Sequence, residues 1–320
     1  MTDESVTKSW KFSEKAIGSI LINKFDSTWA PHEDTEERLK DFGYRHENEF
    51  HVLDIIPPES IVPGRESWNV EYRYNKYWFR SDQFIENHDG LHVLYSGCSC
   101  TEGLGENIER TWSHILNEKI KQTHRVSGYF NLGKGGNGWH KTITNYLTYE
   151  KSFGKPDIFF ILMPNILRNF FWKENEFEWG YDQKLPKETD KKFLDPSEFH
   201  KVPEFEDYTR GYPEFVIAWQ TFLNYLKSIG VQVVWSTWDG TDATNHLKVI
   251  TFKESFMPME PITENVLQQL ANSSKFSKRD LIARDNHPGL VTHNNWADQF
   301  FNNATMKGIF DHYENYKINN

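Results

Sequence analysis

Apolar residues after position 88 alternate between short continuous runs and longer stretches with helical spacing. Four short runs predict buried strands, at residues 91–95, 126–131, 157–163 and 231–237. Five stretches with apolar residues three or four positions apart predict helices, at 106–123, 139–151, 213–229, 261–271 and 291–314. Continuous apolar strands that alternate with helices are typical of a parallel sheet covered on both faces. We therefore predict an α/β domain over residues 89–320.

The first 88 residues follow a different pattern. They carry scattered aromatic residues and a proline-bearing stretch at 56–63, and residues 68–84 show strand-like alternation with a break at Asn75 and Lys76. We interpret residues 1–88 as an N-terminal extension that packs on the main domain. An independent N-terminal domain is the alternative.

Residues 171–210 interrupt the alternation of strands and helices. They carry clusters of charged side chains and lack a clear period. Loops of this length in compact domains are usually functional or disordered. Because this one follows the end of a predicted strand, we interpret it as a lid or loop insertion over a substrate site, with a solvated charged excursion as the alternative.

Charge and composition argue against some classes of partner. The chain has 36 Lys and Arg against 46 Asp and Glu, and this net charge of -10 does not favour a nucleic-acid backbone. The polar N-terminus has no signal-peptide core, and no apolar run approaches membrane-spanning length. We expect a soluble, cytoplasmic protein. Cys98 and Cys100 are too close for an unstrained disulfide and have no histidine pair nearby to complete a zinc site.

The turn after the first predicted strand carries most of the chemical information. It reads GCSCTEG over residues 97–103 and precedes the first predicted helix. Open α/β folds place their sites at the carboxyl ends of the strands. A helix N-terminus also has free N–H groups that favour negative charge. Ser99 is therefore a candidate nucleophile.

A serine nucleophile requires a base, a group that orients the base, and donors for the oxyanion. Our candidate base is His287, in the polar loop ARDNHPG (283–289), with Asp285 two residues upstream to orient it. Candidate donors lie in the glycine-rich turn NLGKGGNG (131–138) and at Asn165, after the third predicted strand. A nucleotide-binding protein could use the same glycine turn, but the turn fits neither the dinucleotide fingerprint nor the P-loop pattern.

Together these segments resemble the SGNH hydrolase family, the GDSL-like esterases and lipases. The family's nucleophile block, Gly-Asp-Ser-x-Thr-x-Gly, corresponds to residues 97–103. Its second block corresponds to residues 131–136, with Gly136 as an oxyanion donor, and its third and fifth blocks fall on 163–166 and 285–287. The resemblance covers residues 88–302 in the family's order.

Three departures from the family pattern bear on the chemistry. Cys98 stands where the family has Asp, which leaves the serine in register and makes Cys98 an alternative nucleophile. The third block lacks its glycine and its second Asp around Asn165, so Arg168 is a second candidate for charge stabilisation. The Asp–His spacing is one residue shorter than in the family. Either Asp285 orients His287 through a tighter loop, or the triad reduces to a Ser–His dyad.

The resemblance implies a three-layer, flavodoxin-like fold with about five parallel strands, and ester hydrolysis without a metal or cofactor. Ser99 would attack the ester carbonyl while His287, oriented by Asp285, accepts its proton. The N–H groups of Ser99 and Gly136 and the amide of Asn165 would bind the oxyanion.

Aromatic residues cluster after the third block. We expect Trp172 and Trp179, together with Arg168, to form a substrate wall, because aromatic rings stack on sugar faces. The expected substrate is a small-molecule or carbohydrate ester, and deacetylation of a carbohydrate is its specific form. The alternative is a non-catalytic binding or assembly protein that keeps the fold, since several blocks are altered.

Overall fold

The computed structural model describes residues 43–46, 49–56, 68–135, 137–163, 168–173, 176–181, 208–237 and 287–318, with short pieces between 255 and 273. The strands are β1 (Gly43–His46), β2 (Glu49–Ile56), β3 (Trp68–Tyr74), β4 (Val93–Gly97), β5 (Phe130–Asn131), β6 (Ile158–Met163), β7 (Arg168–Lys173), β8 (Glu176–Tyr181) and β9 (Gln232–Thr237). The helices are α1 (Ser99–Glu102), α2 (Trp112–Lys121), α3 (Trp139–Phe153), α4 (Tyr208–Ser228) and α5 (Leu290–Met306), with 3-10 turns at Ile108–Arg110 and Phe310–Tyr316.

A parallel sheet of four strands lies at the centre of the described chain. Its order is β5-β4-β6-β9, so β4, which comes first along the chain, lies inside the sheet between β5 and β6. Beyond β9, Trp235 forms a parallel bridge with Phe256, which adds a short fifth extended segment on that side. The predicted α/β fold with a parallel sheet is confirmed.

Helices cover both faces of this sheet because side chains alternate along each strand. Phe159 of β6 packs on the side of α3 and α4, where it lies 5.0 Å from the ring of Tyr146. Phe160 faces the opposite side, in a cluster with α2 and α5 where Trp112 and Phe300 stack at 4.7 Å. The sheet is thus the middle of three layers.

The chain before β4 contributes to the same core. Strands β1, β2 and β3 form an antiparallel sheet of their own, in that order along the chain. After β3, Phe79 and Phe84 join the apolar cluster on the α3 face. The fully buried Arg80 donates from Nη1 to the carbonyl oxygens of Glu102 and Gly103, at 3.2 and 2.7 Å. Residues 70–84 are therefore built into the α/β core.

Several element boundaries differ from their predictions for local reasons. The predicted helix 106–123 is a 3-10 turn followed by α2, because Thr111 between them is extended, with φ -87° and ψ 145°. The predicted helix 291–314 ends at Met306, since Gly308 turns the chain with φ 63°, in the left-handed region that favours glycine. Of the predicted strand 126–131, Phe130 and Asn131 form β5, and Val126 makes an isolated parallel bridge with Leu91.

The interruption after β6 contains regular structure. Strands β7 and β8 form an antiparallel hairpin whose register pairs Arg168 with Tyr181 and Lys173 with Glu176. Within the stretch 171–210, which lacks a clear period in sequence, residues 171–173 and 176–181 are strands. Its interpretation as a lid or loop insertion stays a prediction. Helix α4 begins at Tyr208 rather than at the predicted 213. Residues 182–207 and most of the predicted helix 261–271 lie outside the described residues. None of the helices that the structure describes has both the length and the apolar character of a membrane span.

Candidate active site at the carboxyl edge of the parallel sheet

Ser99 lies at the carboxyl end of the interior strand β4. It is the first residue of α1, a single turn that ends at Gly103, where φ is 79° and the N–H donates to the Ser99 carbonyl oxygen. The Ser99 side chain is 7% exposed, and its hydroxyl donates to Cys98 Sγ over 3.9 Å. The predicted order of strand, tight turn and helix around Ser99 is present.

Gly97 allows this turn to fold back closely on the sheet. A Cβ atom at Gly97 would lie 2.1 Å from Thr101 Oγ1 and 2.4 Å from the carbonyl oxygen of Leu162 on β6. Real Cβ atoms do not approach other atoms so closely, so α1 occupies this position only because residue 97 has no side chain.

The glycine loop, residues 131–138, packs against α1 from the neighbouring strand β5. Asn131 Nδ2 donates to the Thr101 carbonyl oxygen at 2.9 Å, and Asn131 Oδ1 accepts the N–H of Gly133 at 2.8 Å. The backbone N–H of Lys134 donates to the Gly97 carbonyl oxygen at 3.3 Å. The loop and the turn at residues 97–103 therefore form one hydrogen-bonded unit.

Asn137 is a site residue that the sequence analysis did not select. Its side chain is buried, and Nδ2 donates to the carbonyl oxygen of Gly97 at 3.4 Å. A side-chain amide thus lies beside the strand end, two residues before Ser99. In the sequence, Asn137 could be noticed only as an asparagine inside a glycine-rich turn. Asparagine is common in turns without any role in a site, so this position alone did not indicate one.

Glu102 is a second residue that the sequence analysis missed. Its buried carboxylate accepts the Tyr74 hydroxyl on Oε1 at 3.2 Å and the Gly135 N–H on Oε2 at 2.5 Å. Lys134 Nζ lies 3.7 Å from Glu102 Oε1 and donates to the Trp78 carbonyl oxygen at 2.7 Å. Burial lowers the pKa of Lys134, and the carboxylate partly offsets that effect. Glu102 therefore joins α1, the glycine loop and the chain around β3.

The start of α5 lies at the same edge of the sheet as the turn at residues 97–103. The N–H of Trp112, the first residue of α2, donates to His293 Nδ1 at 3.1 Å, and further along Lys119 Nζ pairs with Asp298 at 2.9 Å. Helices α2 and α5 therefore run side by side in the same direction. Because α2 follows β4, both helices begin at the carboxyl edge, and His287 lies three residues before α5.

His293 is a buried structural ring close to His287. Its Nδ1 accepts the Trp112 N–H, and the ring also bonds to the Pro288 backbone. Burial first, and then the charge of His287, lower the pKa of His293 to about 3. Trp112 continues the contact through its Nε1, which donates to Thr101 Oγ1 of α1 at 3.4 Å. Residues 287–289 are thus connected to the turn at residues 97–103 through side chains of α5 and α2.

Cys98 has the surroundings of a structural cysteine. Its side chain is fully buried among apolar residues of the α2 and α5 face, and Cys100 is also buried there. Cysteines in apolar, enclosed positions are usually inert, whereas reactive ones are partly exposed beside cationic groups. The geometry therefore favours Ser99 over Cys98 as the nucleophile.

The remaining predicted site residues divide into two groups. Asp285, Gly136 and Asn165 lie outside the described residues. Arg168, Trp172 and Trp179 lie on the β7–β8 hairpin, which starts five residues after the last residue of β6. The register of the hairpin assigns these three positions to one face, since residues two apart on a strand and their direct partners share a face.

A further group of ionisable side chains lies at the opposite, amino edge of the sheet. His92 stacks on His88 with ring centroids 3.4 Å apart, and its Nε2 bonds to the Tyr149 hydroxyl at 2.8 Å. Burial lowers the pKa of His92 to about 3. Over the described part of the chain, no three His, Cys, Asp or Glu side chains are grouped in a way that could hold a metal ion.

Comparison with known proteins gives no family assignment. The chain matches no family model, no curated protein and no solved structure. Its function is therefore inferred from the geometry at the carboxyl edge of the sheet.

Proposed function

We propose that this protein is a serine esterase in which Ser99 is the nucleophile and His287 the general base. The main support is the convergence of three segments that are distant in sequence. The turn at 97–103, the glycine loop at 131–138 and the loop before α5 all lie at the carboxyl edge of the parallel sheet. Acyl transfer by serine requires a nucleophile, a base and oxyanion donors at one place.

The strand order supports an SGNH-like, flavodoxin-like arrangement. Numbered along the chain, β5-β4-β6-β9 reads 2-1-3-4, and the segment bridged through Phe256 takes the fifth position. Sheets of order 2-1-3-4-5 bind ligands in the crevice where the first and third strands are neighbours. Ser99 follows the first strand of this sheet, so the proposed nucleophile stands at that crevice.

The proposed reaction has two steps. Ser99 Oγ bonds to the ester carbonyl carbon as its proton passes to His287, and collapse of the tetrahedral intermediate releases the alcohol, protonated by His287. Water, deprotonated by His287, then cleaves the acyl-serine. The oxyanion would face N–H donors of Ser99 and the glycine loop, each typically worth about 3 kcal/mol in the transition state. Asp285, Gly136 and Asn165 keep their proposed roles from the resemblance.

The hydrogen bond from Ser99 to Cys98 is compatible with this role. At 3.9 Å to a thiol sulfur it is weak, so the hydroxyl rotates away at small cost. Catalytic hydrogen bonds often tighten only in the complex with substrate.

For the substrate we propose a carbohydrate ester. The β7–β8 hairpin, which follows β6 in sequence after four intervening residues, pairs Phe170 with Trp179 and Trp172 with Phe177. Release of acetate from acetylated sugars tests this proposal. Hydrolysis of long-chain acyl esters alone would contradict the carbohydrate assignment and leave the serine mechanism in place.

One observation favours the alternative, a non-catalytic binding or assembly protein. The Ser99 side chain is nearly enclosed, and its hydroxyl bonds to a thiol rather than to an imidazole. A nucleotide-binding role for the glycine loop is less compatible with the geometry. The Glu102 carboxylate already holds the Gly135 N–H, and it would repel a phosphate at that position.

Replacement of the nucleophile tests the proposed function directly. We expect wild type to hydrolyse a short-chain aryl ester and to be labelled at Ser99 by a fluorophosphonate, and Ser99→Ala to lose labelling and about 10⁴-fold in kcat. Ser96→Ala is the matched control, because Ser96 lies on the same strand and its buried hydroxyl has no hydrogen-bond partner among the described residues. Its activity should stay near that of wild type. A folded wild type without labelling, and with activity equal to Ser99→Ala, would reject the serine esterase.

A further inference from the structure

Glu102 shares one rigid turn with the proposed nucleophile. It lies three residues after Ser99, and the N–H groups of Thr101 and Glu102 both donate to the Cys98 carbonyl oxygen at 2.9 Å. The side chain points from this turn to the glycine loop, where Oε2 accepts the N–H of Gly135 at 2.5 Å. Hydrogen bonds to a carboxylate are shorter and stronger than neutral ones. Among the described residues, this is the shortest hydrogen bond between α1 and the glycine loop.

The donors around Glu102 compensate its buried charge. Tyr74 donates its hydroxyl to Oε1, and Lys134 Nζ lies 3.7 Å from the same oxygen. The ammonium group is itself held by the Trp78 carbonyl oxygen and lies 4.9 Å from the Tyr74 ring centroid. A carboxylate is an acceptor only, and here each oxygen faces a donor. The side chain is thus fixed in one orientation.

Close packing makes the position of the glycine loop sensitive to this contact. A Cβ at Gly133 would lie 2.7 Å from Thr101 Cβ and 2.8 Å from the Glu102 nitrogen, and a Cβ at Gly135 would lie 3.2 Å from Glu102 Oε2. The loop rests directly on α1 at both glycines. The hydrogen bond from Gly135 therefore fixes where the loop lies relative to Ser99.

We propose that Glu102 is a positioning residue, whose buried carboxylate holds the glycine loop in the place required for oxyanion binding beside Ser99. This role rests on the proposed esterase function, in which the loop carries oxyanion donors. Glu102 does not touch the substrate and acts through the loop.

Replacement of Glu102 should lower the rate of the chemical step. In Glu102→Ala we expect kcat per fluorophosphonate-labelled site to fall about tenfold or more, with KM changed less than about twofold, since a lost hydrogen bond to a buried charged group has effects of that order. In Glu102→Gln we expect a smaller fall, because the amide oxygen still accepts the Gly135 N–H.

A second pair of variants keeps the test valid if Glu102→Ala fails to fold. Tyr74→Phe removes one donor and keeps the carboxylate, and we expect about a fivefold fall in kcat. Tyr225→Phe is the matched control, since it removes a hydroxyl that donates to Glu150 at 2.8 Å on α3 and α4, away from α1. It should leave kcat unchanged. Equal kcat in Tyr74→Phe and Tyr225→Phe would overturn the proposal.

A purely structural role predicts a different result. If Glu102 only stabilised the fold, its variants would contain fewer labelled molecules, and kcat per labelled site would equal that of wild type. That result would overturn the positioning role.

The chemical shift and exchange rate of the Gly135 amide proton test the proposal without a measurement of activity. In proton–nitrogen spectra of the full chain, we expect this proton to be strongly deshielded and slow to exchange in wild type, and to move upfield and exchange at least tenfold faster in Glu102→Ala. An unchanged Gly135 signal would overturn the proposal even if the esterase function holds. Absence of labelling at Ser99 in wild type would reject the esterase function, and the Gly135 signal would still decide whether Glu102 holds the loop.

Discussion

Gly97 and Gly133 determine how closely the two turns at the site approach each other. Both face Thr101, and a Cβ at either position would come within 2.7 Å of that side chain. A glycine at 97 could be predicted from the sequence, because the nucleophile block of the family that the chain resembles starts at this position. The requirement for glycine at 133 could not be predicted in this way, because it arises from contact with Thr101 and Glu102, about 30 residues earlier in the chain. The hydrogen bond from Asn131 to Thr101 spans the same distance in sequence.

Substitution of Gly97 should destabilise the protein through overpacking. We expect Gly97→Ala to lower the free energy of unfolding by about 3 kcal/mol, because the methyl group overlaps Thr101 and the Leu162 carbonyl oxygen. Gly154→Ala is the control. Its φ of 83° also disfavours alanine, but no other group lies within 4 Å of its Cβ position. Denaturant unfolding measures the free energy of unfolding of both variants. Equal decreases in the two variants would show that the close approach at Gly97 does not affect stability.

At the scale of elements, the start of α5 separates two histidines with different surroundings. His293 faces the core and caps the first N–H of α2, which has no side-chain cap of its own from Thr111. His287 is half-buried in the loop before the helix. The first is therefore expected to stabilise the fold, and the second to act on the substrate.

Variants of the two histidines should separate these roles. We expect His287→Gln to lower kcat/KM by about 10²- to 10⁴-fold with little change in Tm, since a general base contributes that much. We expect His293→Ala to lower the free energy of unfolding by about 2–4 kcal/mol, because it leaves a cavity and an unpaired Trp112 N–H. If His293→Ala folds stably but has lost activity, and His287→Gln is active, the general base is His293.

Elements with continuous apolar sequence were predicted best. Strand β6 lies within one residue of its predicted bounds at both ends, because every side chain from Ile158 to Met163 is buried. The β7–β8 hairpin was missed because the charged residues at the facing ends of its strands, Lys173 and Glu176, obscure the alternation on either side. Glu102 was missed for a different reason. Its hydrogen-bond partners Tyr74 and Gly135 lie 28 and 33 residues away in sequence, so no local sequence pattern predicts its role.

At the scale of the whole molecule, two buried neutral histidines make stability depend on pH. Burial lowers the pKa of both His92 and His293 to about 3, against an unfolded value of about 6.5. Between these values the unfolded chain binds more protons than the folded one. Stability is therefore complete above about pH 6.5 and is lost as the pH falls toward 3. Asp157, whose pKa is raised by burial, acts in the opposite direction.

We therefore expect the free energy of unfolding to fall on acidification. Each of the two rings contributes about 1.4 kcal/mol per pH unit near pH 5, and His140, whose pKa burial lowers to about 4, acts in the same direction. Urea unfolding at pH 7.5, 6 and 5 measures this slope. His92→Gln should reduce the slope by about 1.4 kcal/mol per pH unit, and a wild type equally stable at pH 7.5 and 5 would contradict the assignment.

The bond between Trp112 and His293 joins residues that are 181 positions apart. During synthesis at about 5–20 residues per second, the ribosome needs roughly 10–40 s to pass from one to the other. For that interval α2 has emerged without α5, and the ring of Trp112 lacks its stacking partner Phe300. The nascent chain would thus carry the serine turn long before the loop with His287 exists. Before residues 287–306 are made, it would lack both the proposed base and the helix α5.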